Sequence, residues 1–260
     1  MTQRPLALVT GASSGLGAVF ARKLAGRGFD LMLVARDAER LAVLAGELQK
    51  IGATASVVAA DLTSDDGVAA VEVALRAAGR LDLLVNNAGF GTTGALATTP
   101  LDRQEQMLRL HVLAVNRLSR AALQLMTPVK RGGIITVSSV ASFVNSSGNV
   151  NYCATKAWQR SFSEGLALEC APHGIRIQAL CPGFTKTEFH ERMKFDQEKR
   201  AAAWMWLVAE DVVETSLRQY EAGGATICIP GLQYKIAVFL ARHVPLWIKD
   251  RLAQRVYTRE

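Results

Sequence analysis

Short, nearly continuous runs of aliphatic and β-branched residues at 6–10, 31–35, 56–59, 81–86, 133–138, 176–181 and 226–229 punctuate the chain. Between them apolar residues return every three or four positions, most clearly at 22–28, 40–51, 68–79 and 101–126. An apolar run without alternation is a strand covered on both faces, and a three-to-four spacing is one buried stripe on a helix. Strand and helix alternating in this way predict an α/β fold: a doubly wound parallel sheet of about seven strands, with helices on both faces and right-handed crossovers. Two stretches break both periods, 89–99, rich in Gly and Thr, and 144–151, rich in Ser and Asn. Loops at the carboxyl ends of parallel strands are where such sheets hold ligands, so these two are expected near a site.

Past the last strand the helical spacing resumes. Leu232, Ile236, Phe239, Leu240 and Val244 share it, and after Pro245 the set Ile248, Leu252 and Val256 continues it opposite Lys249, Arg251 and Arg255. Residues 232–260 therefore read as a basic amphipathic helical extension that docks on its own or a partner subunit, with shallow contact to an anionic membrane surface as the alternative. The formal charge is +7, and more than half of the excess lies in this tail. Concentration there argues against a protein-wide nucleic-acid surface.

An even spread of apolar residues over 260 positions, without a Pro/Ser-rich linker, predicts a single domain. The apolar stretch at 236–241 is far short of the roughly 18 to 20 residues that span a bilayer. Residues 1–5 lead straight into the first strand and leave no room for a signal peptide, so the chain reads as cytoplasmic. Cys153, Cys170, Cys181 and Cys228 form no C-x-x-C pair and read as free thiols, Cys153 being of interest for modification because it adjoins Tyr152. The four histidines are scattered, so no metal is expected.

The first strand ends in Thr10 and runs into Gly11, Ala12, Ser13, Ser14, Gly15, Leu16 and Gly17 before a helical pattern begins. Glycines here permit a tight turn, close approach of a diphosphate to the backbone, and helix-to-strand packing, with the helix amino terminus facing the anion. Of the four tyrosines only Tyr152 has a lysine four residues on, Lys156. That spacing puts both on one helix face, where the ammonium is expected to favour the ionised phenol and bring its pKa toward neutral. Ser139 precedes them at the end of a strand.

Together these motifs resemble the short-chain dehydrogenase/reductase family along nearly the whole chain. The glycine loop at 11–17, Asp61-Leu62, Asn86-Asn87-Ala88-Gly89, the set Ser139, Tyr152 and Lys156, and Pro182-Gly183 followed by Thr187 fall in that family's order and spacing. The resemblance implies a Rossmann-type, NAD(P)-dependent oxidoreductase, in which Asp61 and Leu62 flank the adenine, Asn87, Ala88 and Gly89 support the cofactor cleft, and Pro182, Gly183 and Thr187 bracket the carboxamide. It further implies that Tyr152 transfers the proton, that Lys156 binds the ribose and tunes Tyr152, and that Ser139 hydrogen-bonds the carbonyl oxygen. In domain terms, 1–231 would be the dinucleotide-binding catalytic body and 232–260 its extension, in a homodimer or homotetramer.

After the second strand the chain reads Val34-Ala35-Arg36. Ala35 stands where an acid would receive ribose hydroxyls, and Arg36 offers a planar fork for a 2′-phosphate, so NADP(H) is the expected cofactor, with Ser13 and Ser14 in the loop and Arg40 as a candidate helper. The chain departs from the family where an asparagine is usual: His111 takes that position, and Asn116 falls on another side of the helix. His111 is expected to stay neutral beside Lys156 and to accept or pass a proton. Residues 184–208 mix Phe189, Met193, Phe195, Trp204, Met205 and Trp206 with charges and suit a lid over an apolar pocket. With Phe90, Phe143 and Val144, they imply reversible reduction of an apolar ketone or aldehyde. The competing reading, a catalytically idle NADP(H)-sensing protein, rests on His111.

Overall fold

The computed structural model describes residues 3–188 and 202–244. Each of the seven apolar runs is a strand: β1 Leu6–Thr10, β2 Asp30–Ala35, β3 Ala55–Ala59, β4 Leu83–Asn86, β5 Gly132–Val137, β6 Ile175–Leu180 and β7 Ile227–Cys228. They pair in parallel in the order β3-β2-β1-β4-β5-β6-β7. The winding direction reverses between β1 and β4, which opens a crevice at their carboxyl ends.

The helices among the described residues are α1 Gly15–Gly26, α2 Ala38–Lys50, α3 Asp65–Ala78, α4 Leu101–Leu108, α5 Val115–Val129, α6 Val150–Cys170, α7 Ala209–Glu221 and α8 Leu232–His243. Local chemistry sets several of their ends. The Asp37 carboxylate accepts from the Arg40 N–H at the start of α2, the Ser64 hydroxyl accepts from the Gly67 N–H at the start of α3, and Gly79 closes α3 in a left-handed turn.

Two apolar layers enclose the sheet. Phe20, Leu24, Leu41, Leu48 and Val213 from α1, α2 and α7 cover one face, and Val71, Leu75, Leu118, Ala122 and Leu166 from α3, α5 and α6 cover the other. Leu8, Leu33 and Leu84 in the central strands are fully buried, and each contributes about 1.5 to 3 kcal/mol by leaving water. Coverage is poorest at β3, a sheet edge, where Val57 stays 38% exposed.

The predicted helix over 101–126 is a continuous helical run from Leu101 to Val129, but α4 and α5 are joined by a π-helical turn, Arg109–Ala114. Such turns carry an extra residue and are common at functional sites. This one holds His111.

The extension also differs from expectation. Helix α8 is present, yet its docked side is Tyr234 and Val238, and the stripe of Leu232, Ile236, Phe239 and Leu240 faces outward, each more than half exposed. The predicted docking face is the outer one because the flat Tyr234 ring, not the branched side chains, fits against Gly183, where a Cβ would lie 1.9 Å from that ring. Ile248, Leu252 and Val256 lie outside the described residues, as do Phe189, Met193 and Phe195. Among the described residues no helix is long and apolar enough to cross a membrane.

Candidate active site

A cleft of about 1110 Å³ runs along the carboxyl ends of the strands. Its walls include Gly11, Ser13 and Ser14 from the loop before α1, Gly15 and Leu16 at the start of α1, Arg36 after β2, Asp61 and Leu62 after β3, and Asn87, Ala88 and Gly89 after β4. Ser139, Tyr152, Lys156, Pro182, Gly183 and Thr187 complete the inner part. Of the predicted cofactor residues only Gly17 does not face it. Gly17 acts by packing: a Cβ there would sit 2.2 Å from the Gly11 carbonyl oxygen and 2.5 Å from Asn87 Nδ2. Gly11 itself has φ +66°, a left-handed conformation that glycine adopts without strain.

Sequence reasoning missed how this loop is held. The Thr10 hydroxyl accepts hydrogen bonds from the Asn87 and Ala88 N–H groups at 2.9 and 3.0 Å, and donates to the Val85 carbonyl at 3.3 Å. Asn87 Nδ2 donates to the carbonyls of Thr10 and Gly11. The β1 and β4 loops are thus tied into one rigid cradle with the α1 amino terminus at its floor, and the Ser14 hydroxyl makes no capping bond to that helix. An exposed amino terminus beside a glycine-built hollow fits a diphosphate. A polar residue ending an all-aliphatic strand was the available signal for Thr10.

Arg36 is exposed at the rim. Arg40, the candidate helper, is turned elsewhere: its guanidinium pairs with Glu188 at 2.9 Å and with Asp37 at 3.5 Å.

At the other end α6 presents Tyr152, Lys156 and Gln159 in successive turns. Tyr152 and Ser139 both line this part of the cleft. Burial pushes the Tyr152 phenol up to about 12, the Ser139 hydroxyl offsetting only part of this. The expected drive toward the phenolate is therefore reversed. The Lys156 ammonium lies 5.8 Å from the centroid of the Tyr152 ring, and its hydrogen bonds go to other groups. It donates instead to the Val137 carbonyl at 2.8 Å and to Gln159 Oε1 at 2.9 Å. Burial also pulls Lys156 itself down to about 7.

His111 is fully buried and held well below the usual histidine range, first by burial and then by the nearby Lys156 charge. Neutrality agrees with expectation. The ring, however, is spent on structure: Nε2 accepts from the Phe90 N–H at 3.2 Å, which leaves Nδ1 as the donor to Thr155 Oγ1 at 2.9 Å. The connection from His111 to Lys156 runs through its backbone carbonyl, which accepts from Gln159 Nε2 at 3.0 Å. Asn116 is exposed and takes no part. Gln159, also missed, stands three residues beyond Lys156 on the same helix face, and that spacing was the only hint.

The outer cleft is lined by Phe90, Val144, Met205, Ala237, Val238 and Ala241, with Arg103 stacked 4.4 Å from the Phe90 ring centroid. Phe143 is not part of it and packs under the Arg160 guanidinium. Trp206 packs against Phe184 with the rings tilted by 38°, and Trp204 stays 68% exposed. The Tyr234 hydroxyl accepts from the Phe184 N–H at 2.9 Å and donates to the Met205 carbonyl at 2.7 Å, pinning α8 to this end. Cys153 is buried with its thiol pushed up by burial, which disfavours the reactive thiolate, and all four cysteines are free. Among the described residues no cluster could hold a metal ion.

The family model for short chain dehydrogenase matches residues 5–198. The chain is 35% identical over 217 residues to a gluconate 5-dehydrogenase of Gluconobacter oxydans, covering 80% of this chain and 84% of that one. Among solved structures it resembles a short-chain dehydrogenase from Sphingobium yanoikuyae in complex with NADPH, with TM-score 0.82, 33% identity and coverage of 98% and 96%. It also resembles a bulky-bulky ketone specific alcohol dehydrogenase from Comamonas testosteroni, with TM-score 0.79, 32% identity and coverage of 100% and 95%. The parallel sheet, the glycine cradle and these similarities over nearly the full length agree: the chain belongs to the short chain dehydrogenase family, NAD(P)-dependent oxidoreductases acting on alcohol and carbonyl groups.

Proposed function

We propose that this protein is an NADP(H)-dependent carbonyl reductase, working reversibly as an alcohol dehydrogenase on an apolar ketone or aldehyde. The observation that carries the reading is one continuous cleft with Arg36 and no acid at position 35 at one end, and Ser139, Tyr152 and Lys156 together at the other. Its cofactor would be held by the 11–17 loop, Arg36, Asp61, Leu62, Asn87, Ala88, Gly89, Lys156, Pro182, Gly183 and Thr187. When bound, the nicotinamide supplies or accepts the hydride.

The chain's own residues handle the proton. With its phenol pushed up to about 12, Tyr152 is protonated at neutral pH and serves as the acid when a carbonyl is reduced. Ser139 Oγ, fixed by the Ala141 N–H at 3.1 Å, orients the carbonyl oxygen toward that phenol. As Tyr152 gives up its proton, the Lys156 ammonium becomes the positive charge available to the phenolate, and His111 keeps the wall behind it neutral. The NADPH-bound Sphingobium neighbour and the ketone-specific Comamonas neighbour support the cofactor and substrate class. Ala237 and Ala241 leave room for a bulky group. Residues 1–231 form the catalytic body and 232–260 its extension, in a cytoplasmic homo-oligomer.

NADPH consumption against aliphatic, aryl and steroid ketones tests this. Turnover with at least one, falling about 10² or more in Tyr152→Phe while NADPH still binds, is the expected result. Cofactor binding without turnover of any ketone or aldehyde would favour an NADP(H) sensor instead.

A further inference from the structure

Lys156 lies 4% exposed in the wall of the cleft. The groups that face it are Tyr152 on its own helix, His111 on the π-helical turn and the Cys181 thiol after β6. None is a carboxylate, and among the described residues no acid pairs with it. An ammonium buried without a counter-ion is held by its acceptors alone. Here they are two neutral oxygens, the Val137 carbonyl and Gln159 Oε1.

The Gln159 amide can take only one orientation. An ammonium donates and never accepts, so Oε1 must face Lys156; a carbonyl only accepts, so Nε2 must face His111. Gln159 is itself 1% exposed, and its backbone carbonyl accepts from Ser163, anchoring that turn of α6. The amide therefore spans a fixed gap between the ammonium and the main-chain oxygen of the π-helical turn. It occupies that gap with a group that holds protons in place and does not exchange them as water does.

We propose that Gln159 is a positioning residue for Lys156: its amide, locked between the ammonium and the His111 carbonyl, fixes where the charge stands and sustains it in a site without a counter-ion. This rests on the carbonyl-reductase reading for its purpose, since a lysine held in register with Tyr152 matters only if Tyr152 moves a proton. It assigns the interior contact of Lys156 to this chain's own side chain and leaves the cleft as the route by which protons reach Tyr152.

The test follows the Lys156 Cε signal by NMR in protein carrying isotopically labelled lysine, titrated against pH without cofactor or substrate and assigned by its loss in Lys156→Met. Gln159→Leu removes the acceptor and should lower the titration midpoint by about one pH unit or more; Gln159→Glu keeps the length, adds charge and should raise it by a similar amount. Opposite shifts from two side chains of similar size are not expected of a residue that only fills space. Should Gln159→Leu fail to fold, Gln159→Met, which keeps the length of the side chain and lacks the oxygen acceptor, takes its place with the same lowered midpoint expected. Midpoints unchanged from wild type in the folded variants would overturn the proposal. The readout requires no turnover, so a failure of the carbonyl-reductase reading, visible as NADPH binding without turnover of any ketone or aldehyde, remains distinguishable from a failure of this one.

Discussion

The two ends of the cleft are built from different materials. Between β1 and β4 the wall is backbone: the α1 amino terminus, three glycines and a threonine hydroxyl that gathers two N–H groups. Between the π-helical turn and α6 it is buried polar side chains, His111, Thr155, Lys156 and Gln159, joined in one network. The first kind of wall suits an anion by shape and fixed dipoles, tolerating almost no added atom and having little to titrate. The second holds an ammonium among neutral acceptors, and its properties depend on which groups burial leaves charged.

Sterics should give the largest effect at the backbone end. Gly17→Ala places a methyl against the Gly11 carbonyl and Asn87, neither of which is the free end of a flexible chain. Overpacking of this kind costs about 1 to 3 kcal/mol of stability. NADPH binding, followed by fluorescence titration, should fall beyond measurement while thermal unfolding shifts only modestly. Binding as tight as wild type would break the claim that backbone shape makes this end.

Arg36→Ala tests the positive side chain proposed there. Loss of a charge-assisted phosphate contact, worth about 1.5 to 3 kcal/mol, should reduce kcat/KM for NADPH about ten-fold or more and leave NADH nearly unchanged. A wild-type preference for NADH would remove Arg36 from cofactor choice.

The smallest effect sharpens the other end. His111 is held neutral well below the usual histidine range, so below about pH 6.5 the unfolded chain takes up a proton that the folded chain refuses. Stability must then fall as the pH drops. His111→Asn removes this linkage, and its unfolding free energy should decline less steeply below pH 6.5, by up to about 1.4 kcal/mol per pH unit. Identical slopes, measured by urea denaturation at several pH values, would show that the imidazole is not held neutral by burial.

Much of this architecture is legible in the order of residues, because it is written in local periods. Apolar runs located all seven strands, with β4 shorter at its start than the run at 81–86, and the glycine spacing located the cradle. Tyr152 and Lys156 share a face through helix geometry alone, and Ala35-Arg36 follows β2 by position. These features need only neighbours a few residues away.

What tertiary structure alone decided involves partners far apart in the chain. Gln159 meets the His111 carbonyl 48 residues away, and Tyr234 meets Phe184 50 residues away. No periodicity records such pairs. The same holds for the outward stripe of α8: a hydrophobic pattern says that a face is apolar, but only the shape of Gly183 opposite it selects the side that docks. It holds most for the sign of the Tyr152 shift. Sequence spacing places a lysine near a phenol, whereas the balance between their attraction and the loss of water around both depends on depth, distance and the acceptors that claim the ammonium first. Those are properties of the packed molecule, because desolvation is set by everything that surrounds a group and not by its neighbours along the chain.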